Sequence, residues 1–165
     1  MTDDDFPPAP QAKRKRPGLS LKARALRLLS MREHSRVELA RKLEQHVGPD
    51  DDLSALLDAL EQAQYLSNSR FSESLVKRRS ARYGNSRILA ELQSHGVQGE
   101  DLQEMKSNLA QDELDRAQQL WRRKFGQVAA DAQEKAKQFR FFTQRGFSAA
   151  VVRQVLKGAP DDDQD

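Results

Sequence analysis

Apolar residues in this chain recur at long, nearly constant intervals, and that recurrence constrains the fold more than any other feature. A shift of 49 residues sets Leu26 on Leu75, Leu39 on Ile88, Leu43 on Leu92, His46 on His95, Leu53 on Leu102, Leu56 on Met105 and Leu60 on Leu109. A further shift of 50 sets Leu89 on Phe139, Leu92 on Phe142, Gly96 on Gly146, Val97 on Phe147, Leu102 on Val152 and Met105 on Val155. Self-similarity at a fixed period of this size marks a repeat architecture, in which each unit needs its neighbour to complete its burial.

Within each interval the spacing is helical. Leu21, Ala25, Leu28, Leu29 and Arg32 lie on one stripe and predict a helix over about Ser20 to Arg32. Ser35 and Glu38 have capping-box spacing and open a helix carrying Leu39 and Leu43, which ends near Gly48. Asp50, Asp51 and Asp52 place negative charge at a third helix start, favoured by the helix dipole, ahead of Leu53, Leu56, Leu57 and Leu60. The first helix of the last unit holds Leu114, Ala117, Leu120, Trp121 and Phe125, and Asp131 with Glu134 forms a second capping box after a longer link. Strand formers are sparse throughout. The expected fold is all-α, an elongated, curved array of three tandem three-helix repeats at 19–66, 67–109 and 110–157. Residues 1–18, with Pro7, Pro8, Pro10 and Pro17, read as a disordered N-terminal tail, and 158–165 as an acidic C-terminal tail.

Composition excludes several classes. With no cysteine there is no disulfide, thiolate metal site or Cys nucleophile. No apolar run approaches the roughly 20 residues of a membrane span, and Met1 to Gln11 is acidic and Pro-rich, unlike a secretory signal. A soluble, cytoplasmic protein is expected. No phosphate-binding glycine loop, nucleophile elbow or zinc-protease motif occurs, so neither an enzyme nor a cofactor is expected. His34 precedes a helix cap, and His46 and His95 sit at equivalent helix ends; no ligand set converges around them, and a structural role is expected. The run Asp161–Asp163 is most simply a solvating tail, the alternative being a phosphate mimic or a dock for a basic protein patch.

Charge is the strongest functional signal. The chain carries +3, but the expected repeats carry −1, +2 and +5, and the C-terminal tail −4. Lys77, Arg78, Arg79, Arg82 and Arg87 put five cations into eleven residues with no acid among them. Arg122, Arg123 and Lys124 form a second cluster, and Lys135, Lys137, Arg140 and Arg145 a third. A solvated helix face is the plain alternative. Most of these cations have no acid four residues away, however, and a stripe of this kind suits a polyanion or an acidic groove. Six of the ten aromatics fall in the third unit; Phe139 and Phe142 share a core stripe, while Phe141 points elsewhere.

Several stretches resemble the RecX family of recombination regulators. Arg32-Glu33-His34-Ser35-Arg36-Val37-Glu38-Leu39-Ala40-Arg41-Lys42-Leu43 and Tyr65-Leu66-Ser67-Asn68-Ser69-Arg70-Phe71 are similar to the first-repeat signature. Tyr83-Gly84-Asn85-Ser86-Arg87-Ile88-Leu89-Ala90-Glu91-Leu92, followed by Gly96-Val97, resembles the second. Arg122-Arg123-Lys124-Phe125-Gly126 and the stretch Phe139 to Phe147 resemble the third. Asn85-Ser86 departs from the family, which often has proline after that glycine; only the start of the helix should change. The resemblance implies a non-enzymatic bacterial regulator of DNA repair and the SOS response. Such a protein binds the RecA recombinase filament, with single-stranded DNA inside it, and inhibits its ATPase, strand-exchange and coprotease activities. The positions on the matching motifs expected to reach RecA or DNA are Arg79, Arg82, Arg87, Arg122, Arg123, Lys124, Arg140 and Arg145, with Lys77 and Arg78 beside them; Tyr65, Phe71, Ile88, Leu92, Gly96 and Phe142 match as packing residues. Weak direct DNA binding is a further expectation, aided by Lys13 to Arg16. A monomer is expected, with no membrane contact. The competing reading is a helix-turn-helix DNA-binding protein, supported by the Gly-containing turn at Ser94 to Gln98. Against it, no helix shows base-reading side chains flanked by a dimerisation element.

Overall fold

The computed structural model describes residues 18–158. The two expected tails lie outside them, apart from Gly18 and Gly158. Eight helices make up the described residues: α1 (Leu21–Met31), α2 (Arg36–Glu44), α3 (Leu53–Gln62), α4 (Asn68–Arg79), α5 (Asn85–Ser94), α6 (Gly99–Lys124), α7 (Ala132–Gln144) and α8 (Ala149–Leu156).

Local chemistry sets most of the boundaries. The side chains of Ser20, Ser35, Asp52, Ser67, Asp131 and Ser148 each accept the amide three residues on, which satisfies a donor that the first turn leaves open. Only half of the expected capping box at Ser35 forms. Its hydroxyl accepts the Glu38 amide at 3.1 Å, but the Glu38 carboxylate accepts from Arg32 instead of reaching back. A guanidinium offers that carboxylate charge as well as a hydrogen bond.

Three separate cores follow one another along the chain. Leu21, Ala25, Leu39, Leu43, Leu57, Leu60 and Leu66 form the first. Phe71, Leu75, Ile88, Leu92, Val97, Met105 and Leu109 form the second, and Ala117, Leu120, Phe142, Phe147, Val152, Val155 and Leu156 the third. The second and third share a helix. The sequence reading gave repeat 2 a last helix and repeat 3 a first helix; both are parts of α6, which has 26 residues and is about 39 Å long at the usual rise. No glycine or proline interrupts it after Gly99. Helix α6 packs on α5 and α4 at one end and on α8 at the other, so the array is longer than it is wide.

Equivalent glycines seal the joints. Gly96 (φ +80°) lies against Val37 of α2, and Gly146 (φ +88°) against Ser86 and Arg87 of α5. A Cβ at Gly96 would overlap the Val37 side chain, and the left-handed backbone favours glycine independently. Across the first joint the Arg36 amide donates to Asn68 Oδ1 at 3.0 Å, and Arg70 pairs with Glu33 at 2.9 Å. The second joint is tighter. The Gly84 amide donates to the Arg145 carbonyl at 2.8 Å, and the Ser86 amide and hydroxyl both donate to the Gly146 carbonyl, at 3.1 and 2.8 Å.

Candidate functional site

The second joint gathers basic residues that are far apart in sequence. Three polar groups build it from below. Glu113, buried on the stripe of α6 between Leu109 and Ala117, accepts the Asn85 amide and the Ser148 amide through one carboxylate oxygen, both at 3.2 Å. Arg116, one helical step further, donates to the carbonyls of Ser80 and Tyr83 at 3.1 and 3.0 Å and to the Asn85 side chain. Trp121 Nε1 donates to the buried Gln138 at 3.1 Å and ties α7 to α6. The turn after α4 and the starts of α5 and α8 are thereby held on the middle of α6, and α7 is tied to α6 through Trp121.

On that frame cations and aromatic rings alternate. The Arg87 guanidinium lies 4.2 Å from the Tyr83 ring centre. Arg145 lies 5.9 Å from the same ring and 4.4 Å from the Phe141 ring. Lys124 Nζ approaches the other side of the ladder, 5.8 Å from Phe141. Phe141 is edge-on to Phe125 and Phe142 at 5.2 and 5.3 Å, which anchors the ladder in the third core. Arg123 donates to the Ala81 carbonyl at 2.8 Å and Arg145 to that of Arg82 at 3.4 Å, bringing the exposed Arg82 alongside. Next to the ladder an open groove of about 310 Å³ is lined by Lys124, Phe125, Lys137, Arg140, Phe141 and Gln144.

The rings hold the guanidinium groups in place and leave N–H groups of Arg87, and those of Arg145 not bonded to the Arg82 carbonyl, free to donate. No carboxylate pairs with Arg87, Arg145 or Lys124 among the described residues. A planar fork held in place and unneutralised suits bidentate contact with phosphate or carboxylate. Each ring has a cation within 4.2 to 4.4 Å of its centre, and both rings are partly buried.

The sequence-expected positions divide accordingly. Arg82, Arg87, Arg123, Lys124, Arg140 and Arg145 meet at the joint. Arg79 does not join them: its guanidinium forks onto Glu91, with bonds of 2.9 to 3.2 Å, and this carboxylate raises its pKa. Arg122 faces away, beside Trp121, Val155 and Gly158. Lys77 and Arg78 are exposed in the last turn of α4, where Arg78 donates to the Ser74 carbonyl at 3.3 Å. Tyr65, expected to pack, is 57% exposed. Asn85 and Ser86 alter more than a helix start, since both bond across the joint.

Tyr83, Glu113 and Arg116 were not singled out from the sequence. The available signal was an acid on the apolar stripe of α6. Among the described residues no three carboxylate or imidazole groups gather as metal ligands. His34 is buried; its Nδ1 meets the Arg32 carbonyl at 2.9 Å and its Nε2 meets Lys42 Nζ at 3.2 Å. Burial lowers its pKa despite the carbonyl. His95 packs edge-on against Phe71 at 5.0 Å.

Known proteins resemble this chain. Residues 22–52 match the family model described as RecX, first three-helix domain, and 111–156 match RecX, third three-helix domain. The Regulatory protein RecX of Herminiimonas arsenicoxydans is 56% identical over 145 residues, covering 88% of this chain and 96% of that protein. The chain belongs to the RecX family of regulatory proteins. The Regulatory protein RecX of Herbaspirillum seropedicae is 55% identical over 150 residues, covering 91% of this chain and 97% of its own. The crystal structure of RecX from Lactobacillus salivarius superposes with a TM-score of 0.70 at 16% identity, over 83% of this chain and 92% of the other, and so shares the fold. The match to the third RecX domain begins inside α6, because the helix that ends repeat 2 runs on into repeat 3. No helix among the described residues of this RecX-family chain is long and apolar enough to cross a membrane.

Proposed function

We propose that the chain binds RecA–DNA filaments and inhibits the ATPase, strand-exchange and coprotease activities of RecA, so tempering DNA repair and the SOS response. Membership of the RecX family supports this reading. The observation that carries it is the unneutralised Arg87–Tyr83–Arg145–Phe141–Lys124 ladder at the joint of repeats 2 and 3. A filament presents phosphates and acidic side chains along a groove, and a rigid array more than one helix long can lie in it. Arg82, Arg87, Arg123, Lys124, Arg140 and Arg145 form the contact, Lys77 and Arg78 flank it, and Arg79 acts by holding α4 on α5. Single-stranded DNA is met mainly inside the filament. The arginines already stacked on Tyr83 and Phe141 compete with bases for those rings, which favours the filament over bare single strands as the principal ligand.

The test is ATP hydrolysis by RecA on single-stranded DNA with the protein added well below the RecA concentration. Progressive loss of hydrolysis is expected. Unchanged hydrolysis, together with tight binding to bare DNA, would overturn the reading in favour of a direct DNA-binding protein.

A further inference from the structure

Repeat 1 carries an open groove of about 400 Å³ between α1 and α2, remote from the ladder. Its floor is apolar, from Leu19, Leu28 and Met31 above the fully buried Leu43, and Arg24, Arg27 and Lys42 stand at its rim, with Lys42 lying 3.6 Å from Glu38. Met31 is 74% exposed and Leu19 52%, and neither belongs to the first core. No carboxylate lines the groove. Among the described residues Arg24 bonds only the Leu19 carbonyl, at 3.3 Å, and Arg27 has no acidic partner. The groove thus combines an uncovered apolar floor with unneutralised positive charge.

One segment of the chain complements both properties. Asp3, Asp4 and Asp5 precede Phe6, the sole aromatic before Tyr65, and Pro7 and Pro8 follow it. Leu19, in the groove wall, is 13 residues from Phe6, a tether that reaches up to about 43 Å when extended, so the segment returns with slack. Its prolines limit the conformations it surrenders on docking. We propose that Asp3–Pro8 docks in cis in the α1–α2 groove, Phe6 on Leu19, Leu28 and Met31 and the three carboxylates against Arg24 and Arg27.

Amide NMR spectra of the full chain test this. In Phe6→Ala, the amides of Leu28, Met31 and Leu43 shift, and an added peptide of residues 1–11 returns them toward their wild-type positions. The same peptide moves them little in wild type until it nears the millimolar effective concentration of the tethered segment. In the folded double variant Arg24→Glu, Arg27→Glu, Phe6→Ala produces no further shift. Superimposable wild-type and Phe6→Ala spectra overturn the proposal. So do shifts that grow with chain concentration, which assign the groove to the segment of a second copy.

Discussion

Arg79 and Arg87 stand eight residues apart in one basic run and differ entirely in what they touch. Arg79 is forked onto Glu91; Arg87 lies on Tyr83 with its N–H edges free. Half-exposed pairs of the first kind are worth about 0.5–1 kcal/mol. Arg79→Gln is therefore expected to lower stability by about that much in chemical denaturation and to leave the half-inhibitory concentration against RecA nearly unchanged. Arg87→Gln is expected to do the reverse. The clusters themselves were legible in the sequence because runs of like charge with few acids four residues away stand out. The partner of Arg79 was not, since Glu91 is twelve residues away on another helix. His34 makes a pH prediction. Its folded pKa lies below the ordinary histidine value near 6.5, so the unfolded chain binds more protons in that window. Stability is expected to fall as pH drops through 6.5 towards the folded pKa, and the decline to be absent in His34→Gln. Arg32, Glu38 and Lys42 are the charged groups facing the ring, and a pH profile of denaturant midpoints for both chains checks the difference.

At the scale of elements, α6 and the Gly84 turn decide how the repeats act together. The helical stripes and the Ser35, Asp52 and Asp131 starts were readable, because amphipathic spacing and capping residues are local properties, while the caps at Ser20, Ser67 and Ser148 were missed. The fusion of two helices into α6 was not: a 50-residue period suggests a break in every unit, and only the absence of a helix breaker between Gly99 and Lys124 argues otherwise. Gln111 is exposed in the interior of α6 between the second and third cores. Gln111→Pro removes one helical bond and clashes with the preceding turn, at about 3 kcal/mol or more. It is expected to split thermal unfolding into two steps, with Trp121 fluorescence following only the step of repeat 3. A Cβ at Gly84 would overlap the backbone of Gly146 and Phe147, which cannot step aside as a side chain can. Gly84→Ala is expected to cost about 1–3 kcal/mol or more and to weaken RecA inhibition by spreading the ladder, with calorimetry and ATPase assays as the checks.

Across the whole molecule the charge gradient acquires a geometric meaning. The rise from repeat 1 to repeat 3 was visible in composition, but composition could not say that the cations of repeats 2 and 3 converge at one joint. That convergence depends on Glu113 and Arg116, whose partners are 28 to 36 residues away in sequence. A protein that contacts a filament through this joint loses its grip when the joint's charge is reversed, whatever the helices at the far end do. Reversing a desolvated charge contact costs about 2 kcal/mol or more, roughly thirty-fold in affinity. The measurement that bears most directly on this is the half-inhibitory concentration for RecA ATPase on single-stranded DNA, compared among wild type, Arg87→Glu/Arg145→Glu and Lys77→Glu/Arg78→Glu, each with full helicity by circular dichroism. The joint variant is expected to need at least about thirty-fold more protein, with the α4 variant close to wild type. Wild-type inhibition by a fully helical Arg87→Glu/Arg145→Glu protein would contradict the account.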